Sequence, residues 1–124
     1  MTDSTRRLLA YVILRLTSAR SFSTLQDQTA AKAFLFEADI PATKTRISVL
    51  NRELRVTLKG AGGGGFYTLT DSETGKPLSL KMKEGQFEGF DYGSGKPYSG
   101  TLTGNSVIIY DTEVTKEFRY VASL

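Results

Sequence analysis

After Lys32 the apolar residues recur at every second position, and this alternation restricts most of the chain to antiparallel β-sheet. Leu54, Val56 and Leu58, for example, are separated by charged or hydroxyl-bearing residues. A period of two is typical of strands that bury one face, and Asn51-Arg52 is typical of a tight turn. The pattern predicts nine strands, at about residues 33–40, 45–50, 53–59, 66–71, 78–83, 86–92, 97–103, 106–111 and 117–123.

The second half of the chain contains an internal repeat of 20 residues. Gly75-Lys76-Pro77 recurs as Gly95-Lys96-Pro97, and Asp71, Asp91 and Asp111 have the same spacing. Each unit has the pattern strand, turn, strand, turn, so consecutive strands should pair as a meander. Because a long open sheet edge invites aggregation, we expect the meander to close into a barrel or to fold into a tight sandwich.

The N-terminal part of the chain has the period of a helix, which we predict over residues 4–20 with Ser4 or Thr5 as its cap. Such a helix is amphipathic and should pack on the barrel with its apolar face. Its apolar arc contains Leu8, Leu9, Val12, Ile13, Leu16 and Ala19, and the opposite arc contains Ser4, Arg7, Tyr11, Arg15 and Ser18.

The helix and the strands are predicted to form one folding unit. It consists of a basic, amphipathic helical segment at residues 1–32 and a mainly β barrel or sandwich body at residues 33–124. Residues 21–32 are compatible with an extension of the helix or with a second short helix.

The net charge of +3 lies in the N-terminal segment. Residues 1–32 carry five basic and two acidic residues, whereas residues 33–124 carry eleven of each. A neutral body lacks the basic face of a nucleic-acid-binding domain, so no nucleic-acid partner is expected. A cytoplasmic location is the main prediction. Residues 1–24 are rich in serine and threonine and poor in acids, so organelle import with this transit segment is the alternative, and membrane contact by the helix is a less favoured one.

Cysteine and histidine are both absent from the sequence. Their absence excludes disulfides, thiolate and imidazole metal ligands, and catalysis that uses a histidine base. A carboxylate pair or a Tyr–Lys pair remains, so the sequence favours a protein that is not an enzyme and has no cofactor. Asp71, Asp91 and Asp111 would offer three carboxylates to a calcium ion if their turns met at one rim. Turn aspartates are the favoured interpretation, and no metal is predicted.

Residues 60–65 match the G-x-G-x-x-G pattern of dinucleotide-binding sites. Such a site needs a helix after the glycines, whereas residues 66–70 have the pattern of a strand. We therefore interpret the glycine run as a mobile hairpin loop.

Aromatic residues dominate the inward positions of the predicted barrel, and Gly89 and Gly100 at inward positions would leave room beside them. The architecture resembles that of calycin-type barrels such as lipocalins and avidins, although the glycine–any–tryptophan element of lipocalins is missing because the chain has no tryptophan. The leading prediction is non-catalytic binding of a small, mostly apolar ligand inside the barrel. Its wall would be formed by Tyr98, Tyr120, Phe87 and Phe118.

A second apolar set points outward from the same predicted strands and supports an alternative function. Phe66, Phe90, Tyr92, Ile108 and Tyr110 would form a stripe larger than the usual scatter of exposed apolar residues. The alternative is a protein-interaction or assembly module without a ligand, which uses the helix and this stripe. We predict that Ile108 and Tyr110 lie under the helix or in a homodimer contact.

Overall fold

A computed structural model describes residues 1–18 and 21–123 of the chain. In this part the chain forms one helix and ten strands. They are α1 (Asp3–Thr17), β1 (Thr24–Asp27), β2 (Lys32–Asp39), β3 (Arg46–Asn51), β4 (Thr57–Gly63), β5 (Phe66–Asp71), β6 (Pro77–Lys83), β7 (Gln86–Asp91), β8 (Lys96–Thr103), β9 (Ser106–Asp111) and β10 (Lys116–Ser123).

The strands form a closed antiparallel barrel. Each strand pairs with the next along the chain, and β10 pairs with β1, which leaves no open edge in the sheet. The alternation in the sequence matches the two faces of the sheet, since Leu69, Leu78, Val107 and Ile109 are buried and point inward. The predicted fold class, a mostly β meander barrel with an N-terminal helix packed against it, is confirmed.

Two stretches of the barrel differ from the expected strands. β1 lies within residues 21–32, where the sequence pattern allowed only helix, so the barrel has ten strands. The third predicted strand lies further along the chain, because residues 52–56 form a turn. Asn51 holds this turn with its Oδ1, which accepts hydrogen bonds from the backbone N–H groups of Glu53 and Leu54. Leu54 is therefore in the turn and half exposed, not in the core.

The glycine run does not form a six-residue loop, so the expected extent of the loop was wrong, and its mobility stays a prediction. Residues 60–63 belong to β4 and pair with β5, and only Gly64 and Gly65 form the turn. The glycines at 60 and 62 permit a very close approach of the two strands. A Cβ atom at Gly60 would lie 1.9 Å from the carbonyl oxygen of Thr68, which no other residue type would tolerate.

The helix α1 lies inside the barrel. Every residue from Leu8 to Ile13 has no exposed surface, and Leu14 has 2%. The helix contacts β3 and β4 on one side and β9, β10 and β1 on the other. A barrel of eight strands is just filled by side chains, so ten strands leave room for a helix about 10–12 Å wide.

The helix packs on the barrel as predicted, but not with its apolar arc alone, because the residues of the opposite arc are buried or half-buried as well. Tyr11, which belongs to the predicted polar arc, is fully buried, and its ring stacks on Phe36 at 4.7 Å between centroids. The helix also begins earlier than predicted, with Thr2 as its cap. Ala19, placed on the apolar arc, lies outside the described residues. Among the described residues, no helix has the length and apolar character that a membrane crossing requires.

Candidate functional site

The first candidate site is a ring of polar side chains at the end of the barrel where α1 begins. Each odd-numbered strand ends there in a buried carboxylate or amide, and we refer to the five residues as the aspartate rim. They are Asp27, Asn51, Asp71, Asp91 and Asp111. The rim includes the three aspartates for which the sequence allowed a calcium site, and the meander brings them to the same end of the barrel.

The aspartates of the rim use their two carboxylate oxygens for two different tasks. Oδ1 of Asp71, Asp91 and Asp111 accepts a hydrogen bond from the backbone N–H two residues further on, which holds the turn. Oδ2 contacts the helix: that of Asp71 accepts from the Thr5 hydroxyl, and that of Asp111 lies 2.9 Å from Arg6 Nη1. Asp71 and Asp111 are thus connectors between the barrel and the first turns of α1.

The same arrangement is found where β1 meets the helix. Asp27 Oδ2 accepts from Arg7 Nε at 2.8 Å, and its Oδ1 accepts from the backbone of Ala30. These carboxylates face the helix N-terminus, which carries partial positive charge, and at the other end Lys44 donates to the Leu16 carbonyl at 2.7 Å. Both ends of the helix dipole are therefore matched by charge of the opposite sign.

Arg6 is the central cation of this site. Only 4% of its surface is exposed, and its guanidinium lies 3.7 Å from the centroid of the Phe118 ring while it bonds Asp111. Its side chain also pairs with Asp3 and donates to the carbonyl of Met1 at 2.6 Å. A buried charge with this many partners is an anchor for the helix.

Replacing Arg6 by leucine should lower the free energy of unfolding by about 3 kcal/mol or more, because Asp111 would remain buried after losing its guanidinium partner. Urea unfolding followed by circular dichroism measures this loss. Lys32→Met is the matched control, since it breaks the exposed Lys32–Glu53 pair and should change stability by less than about 1 kcal/mol. Equal effects of the two substitutions would contradict the anchoring role of Arg6.

The rim does not have the arrangement of a cation site. Its carboxylates already bind backbone N–H groups and helix side chains, and in the described part of the chain no three acidic side chains are grouped so that they could hold a metal ion. The geometry indicates a structural role for Asp71, Asp91 and Asp111.

The second candidate site is the barrel interior, where the sequence predicts a ligand. Tyr98, Tyr120, Phe87 and Phe118 are all buried and point inward. Phe118 covers Arg6, and Tyr98 donates from its hydroxyl to the carbonyl of Ser79 at 2.6 Å. The helix occupies the interior that the ligand would need, and the expected ligand-binding role of these four residues remains a prediction.

The room expected at the two inward glycines is filled by neighbouring rings. Tyr98 pairs with Gly89 across β7 and β8, and Phe87 pairs with Gly100. A Cβ atom at Gly89 would lie 2.4 Å from the Tyr98 hydroxyl, and one at Gly100 would lie 2.3 Å from the Phe87 ring. Each aromatic ring thus covers the glycine opposite to it, a device that pins the register of a sheet.

Burial makes Tyr98 and Tyr120 weaker acids than a free tyrosine side chain. The pKa of Tyr98 is raised above its ordinary value by burial and, to a smaller extent, by the negative charge of Asp91. Burial also raises the pKa of Tyr120, assisted by Asp27 and opposed by Arg6 and Arg7. Both phenols are therefore neutral hydrogen-bonding groups at ordinary pH and are not poised as catalytic bases.

The third candidate site is the outer face of β5–β10. The residues of the predicted stripe lie on the outside of the barrel: Phe66 is 60% exposed, Tyr92 in the turn after β7 is 58% exposed, Tyr110 is 38% exposed, and Phe90 and Ile108 are half-buried. The pairing register places one outward residue of each strand in a single row across the sheet. This row is Phe66, Lys81, Glu88, Ser99, Tyr110 and Glu117.

The row runs through two adjoining concavities on the outside of the barrel, of about 490 and 480 Å³. Lys81, Glu88, Ser99 and Tyr110 line both of them. Their floor is formed by β7 and β8 at Gly89 and Gly100, where the aromatic rings on the inner side fill the space. We call these two concavities together the outer groove.

The expectation that the helix covers this stripe was wrong. Because α1 is enclosed by the barrel, it cannot contact the outward side chains of Ile108 and Tyr110, and neither the helix nor any other described element of the chain shields Phe66 and Tyr92. The other predicted cover, a second copy of the chain, remains a prediction.

The sequence reasoning found the apolar members of the outer groove but not its polar ones. Lys81, Glu88 and Ser99 carry no pattern that distinguishes them from other polar residues on outward strand positions. The position of each hairpin turn fixes which residues of its two strands pair. This register places Lys81, Glu88 and Ser99 in one row with Phe66 and Tyr110. No family model matches this chain, and comparisons with curated proteins and with solved structures give no match either.

Proposed function

We propose that the protein is an assembly module that pairs with a second copy of the same chain through the outer face of β5–β10. One observation carries the proposal. The same face has projecting aromatic rings and the outer groove, whose lining includes apolar side chains that can receive such rings. A two-fold interface places the same patch on both partners, so a self-complementary patch is what it requires.

Shape is the first requirement. Phe66 and Tyr92 are the most exposed aromatic residues of the described chain, and Phe66 itself stands at the margin of the outer groove. In a symmetric pair, a ring of each copy can enter the groove of the other. Aromatic anchors that fill a pocket are the residues that contribute most to the affinity of protein interfaces.

Charge is the second requirement. The row contains one cation, Lys81, and two anions, Glu88 and Glu117, and the neighbouring row adds Lys83 and Arg119. A face that carries both signs can complement its own copy, whereas a face of a single sign would repel it.

The filled interior supports this function over the binding of a small ligand. The use implied by the resemblance to calycin-type barrels needs an open interior, and α1 occupies that space. A barrel with a solid core and an apolar outer face has the features of a rigid scaffold for an interface.

Sedimentation equilibrium tests the proposal directly. The wild-type chain should form a dimer, and Phe66→Glu and Tyr110→Lys should each weaken dimerisation about 30-fold or more, as for the loss of an interface anchor. Both substitutions are made on the surface, beside Lys81 and Glu117 respectively, so the fold should persist.

Leu35→Glu is the matched control. Leu35 is 48% exposed and points outward from β2, away from the proposed interface, so its substitution should leave the dimer unchanged. A wild-type chain that stays monomeric at about 1 mM, where even weak specific pairs form, would refute the proposed function. Dimers that resist both substitutions would refute the proposed face.

A further inference from the structure

Helix α1 and strand β1 are held to each other as well as to the rest of the barrel. Arg7 Nε donates to Asp27 at 2.8 Å, and the Tyr11 hydroxyl donates to the carbonyl of Phe22. Arg15 Nη1 donates to the Tyr11 hydroxyl at 2.9 Å. Helix α1 and residues 22–27 therefore form an N-terminal unit, in which the helix fills the barrel and β1 closes its wall.

β1 has only four residues, fewer than any other strand of the described chain. It joins β10 through four residue pairs and β2 through four, from Thr24 to Asp27 in both cases. The β2–β3 and β6–β7 seams also have four pairs each, but β1 is the shortest strand, and local opening is favoured where the fewest contacts must break, which points to the two seams beside β1.

The connection from β1 to β2 is short and strained. It consists of residues 28–31, and Ala31 has a φ of 53°. This left-handed conformation costs an alanine about 1–2 kcal/mol relative to glycine. Ala31 is exposed, so no burial of its side chain offsets that strain. A short, strained hinge favours the exchange of the segment that precedes it.

We propose that the N-terminal unit exchanges between two copies of this chain, so that α1 of each copy fills the barrel of the other and β1 closes the other's wall. All contacts of the unit with the aspartate rim and with β2 and β10 are kept in the exchanged dimer, except at the hinge. The hinge becomes extended, and the strain at Ala31 is released. The partner class is a second copy, because the acceptor contacts are those that this chain itself provides.

This exchange is separate from the outer-face association, and cysteine pairs distinguish the two. The chain has no cysteine of its own. Gln26 and Val121 face each other across β1 and β10 and are not fully buried, so Gln26→Cys with Val121→Cys should form a disulfide. In an exchanged dimer this disulfide joins two chains, whereas in an outer-face dimer it stays within one chain.

The experiment uses the full chain, refolded at high concentration from partial denaturation and then oxidised. We expect a covalent dimer on a non-reducing gel for the Gln26/Val121 pair. Lys59→Cys with Thr70→Cys is the control, since these exposed residues face each other across β4 and β5 and should give only intramolecular disulfides. Only monomeric bands for the Gln26/Val121 pair, or dimer bands for both pairs, would overturn the proposal.

The hinge provides an independent readout. Ala31→Gly removes the strain of the closed turn and should lower the ratio of exchanged dimer to monomer about fivefold or more, since two hinges change per dimer. Ala31→Val increases the strain and should raise the same ratio by a similar factor. If Ala31→Gly raises the ratio of exchanged dimer to monomer and Ala31→Val lowers it, or if neither variant changes the ratio, the hinge does not control the exchange.

Discussion

Ile13→Asp should leave the protein unfolded at room temperature, because it places a carboxylate in the middle of the helix that fills the barrel. Ile13 has no exposed surface. The loss of a buried isoleucine side chain alone costs about 2–5 kcal/mol, and an unpaired buried charge adds several more. The sum is comparable with the total stability of most domains, about 5–15 kcal/mol. Circular dichroism should show no native sheet signal and no cooperative urea transition.

Ile13→Val is the matched control for this variant. It removes one methyl group from the same site and should lower the free energy of unfolding by about 1 kcal/mol while unfolding stays cooperative. If Ile13→Asp instead unfolds cooperatively with a loss no larger than that of Ile13→Val, α1 is not enclosed by the barrel.

Gly89→Ala should be a severely damaging change in the strands, although it adds a single methyl group. The new Cβ atom would lie 1.9 Å from the Ser79 carbonyl oxygen, to which Tyr98 donates its hydrogen bond. The backbones of β6 and β7 would have to separate, and we expect a loss of about 3 kcal/mol in the free energy of unfolding. Urea titration of the purified variant gives this value.

Gly63→Ala makes the same chemical change at a site with open space. No atom lies within 4 Å of a Cβ at Gly63, and an alanine there restricts the unfolded chain, so stability should stay equal or rise by about 0.5 kcal/mol. A Gly89→Ala variant as stable as Gly63→Ala would show that the close approach of the two strands is not required.

Much of the barrel was predictable because strands with one buried face have a simple period. The alternation located eight strands within a few residues, and the 20-residue spacing of Asp71, Asp91 and Asp111 indicated that consecutive hairpins are equivalent. Asn51 continues this spacing towards the N-terminus. Extending the repeat to Asn51 would have placed the start of β4 correctly at Thr57, six positions after Asn51 as Pro77 is six positions after Asp71, since the amide holds its turn as the aspartates hold theirs.

The enclosed position of α1 was not predicted, because its polar residues were expected to lie along one face of the helix, opposite the apolar face. In the structure the polar side chains are grouped at one end: Ser4, Thr5, Arg6 and Arg7 occupy the first turns, and residues 8–14 form an unbroken apolar run. A helix that is apolar all round is a buried helix. The partners of Arg6 and Arg7 come from strands far away in sequence, so the sequence pattern alone does not reveal how their charges are matched.

The ligand site was predicted from inward aromatic residues and glycines, and these are also the features of a sheet that curves tightly around a solid interior. Cross-strand pairs of glycine with an aromatic ring, such as Gly62 with Tyr67 and Gly89 with Tyr98, fill the space that the glycines open. Composition cannot separate a filled interior from an empty one, because that difference depends on which segment enters the barrel.

The pairing of β10 with β1 has a consequence for folding during synthesis on the ribosome. The helix precedes all ten strands of the described chain, so the wall around it is complete only after β10 has left the exit tunnel. Until then the nascent chain exposes an apolar helix and two unpaired sheet edges, and closure depends on contacts between residues about 100 positions apart, such as Leu25 and Ala122. Non-local closure of this kind is slow, so the nascent chain is exposed to aggregation until β10 has been synthesised.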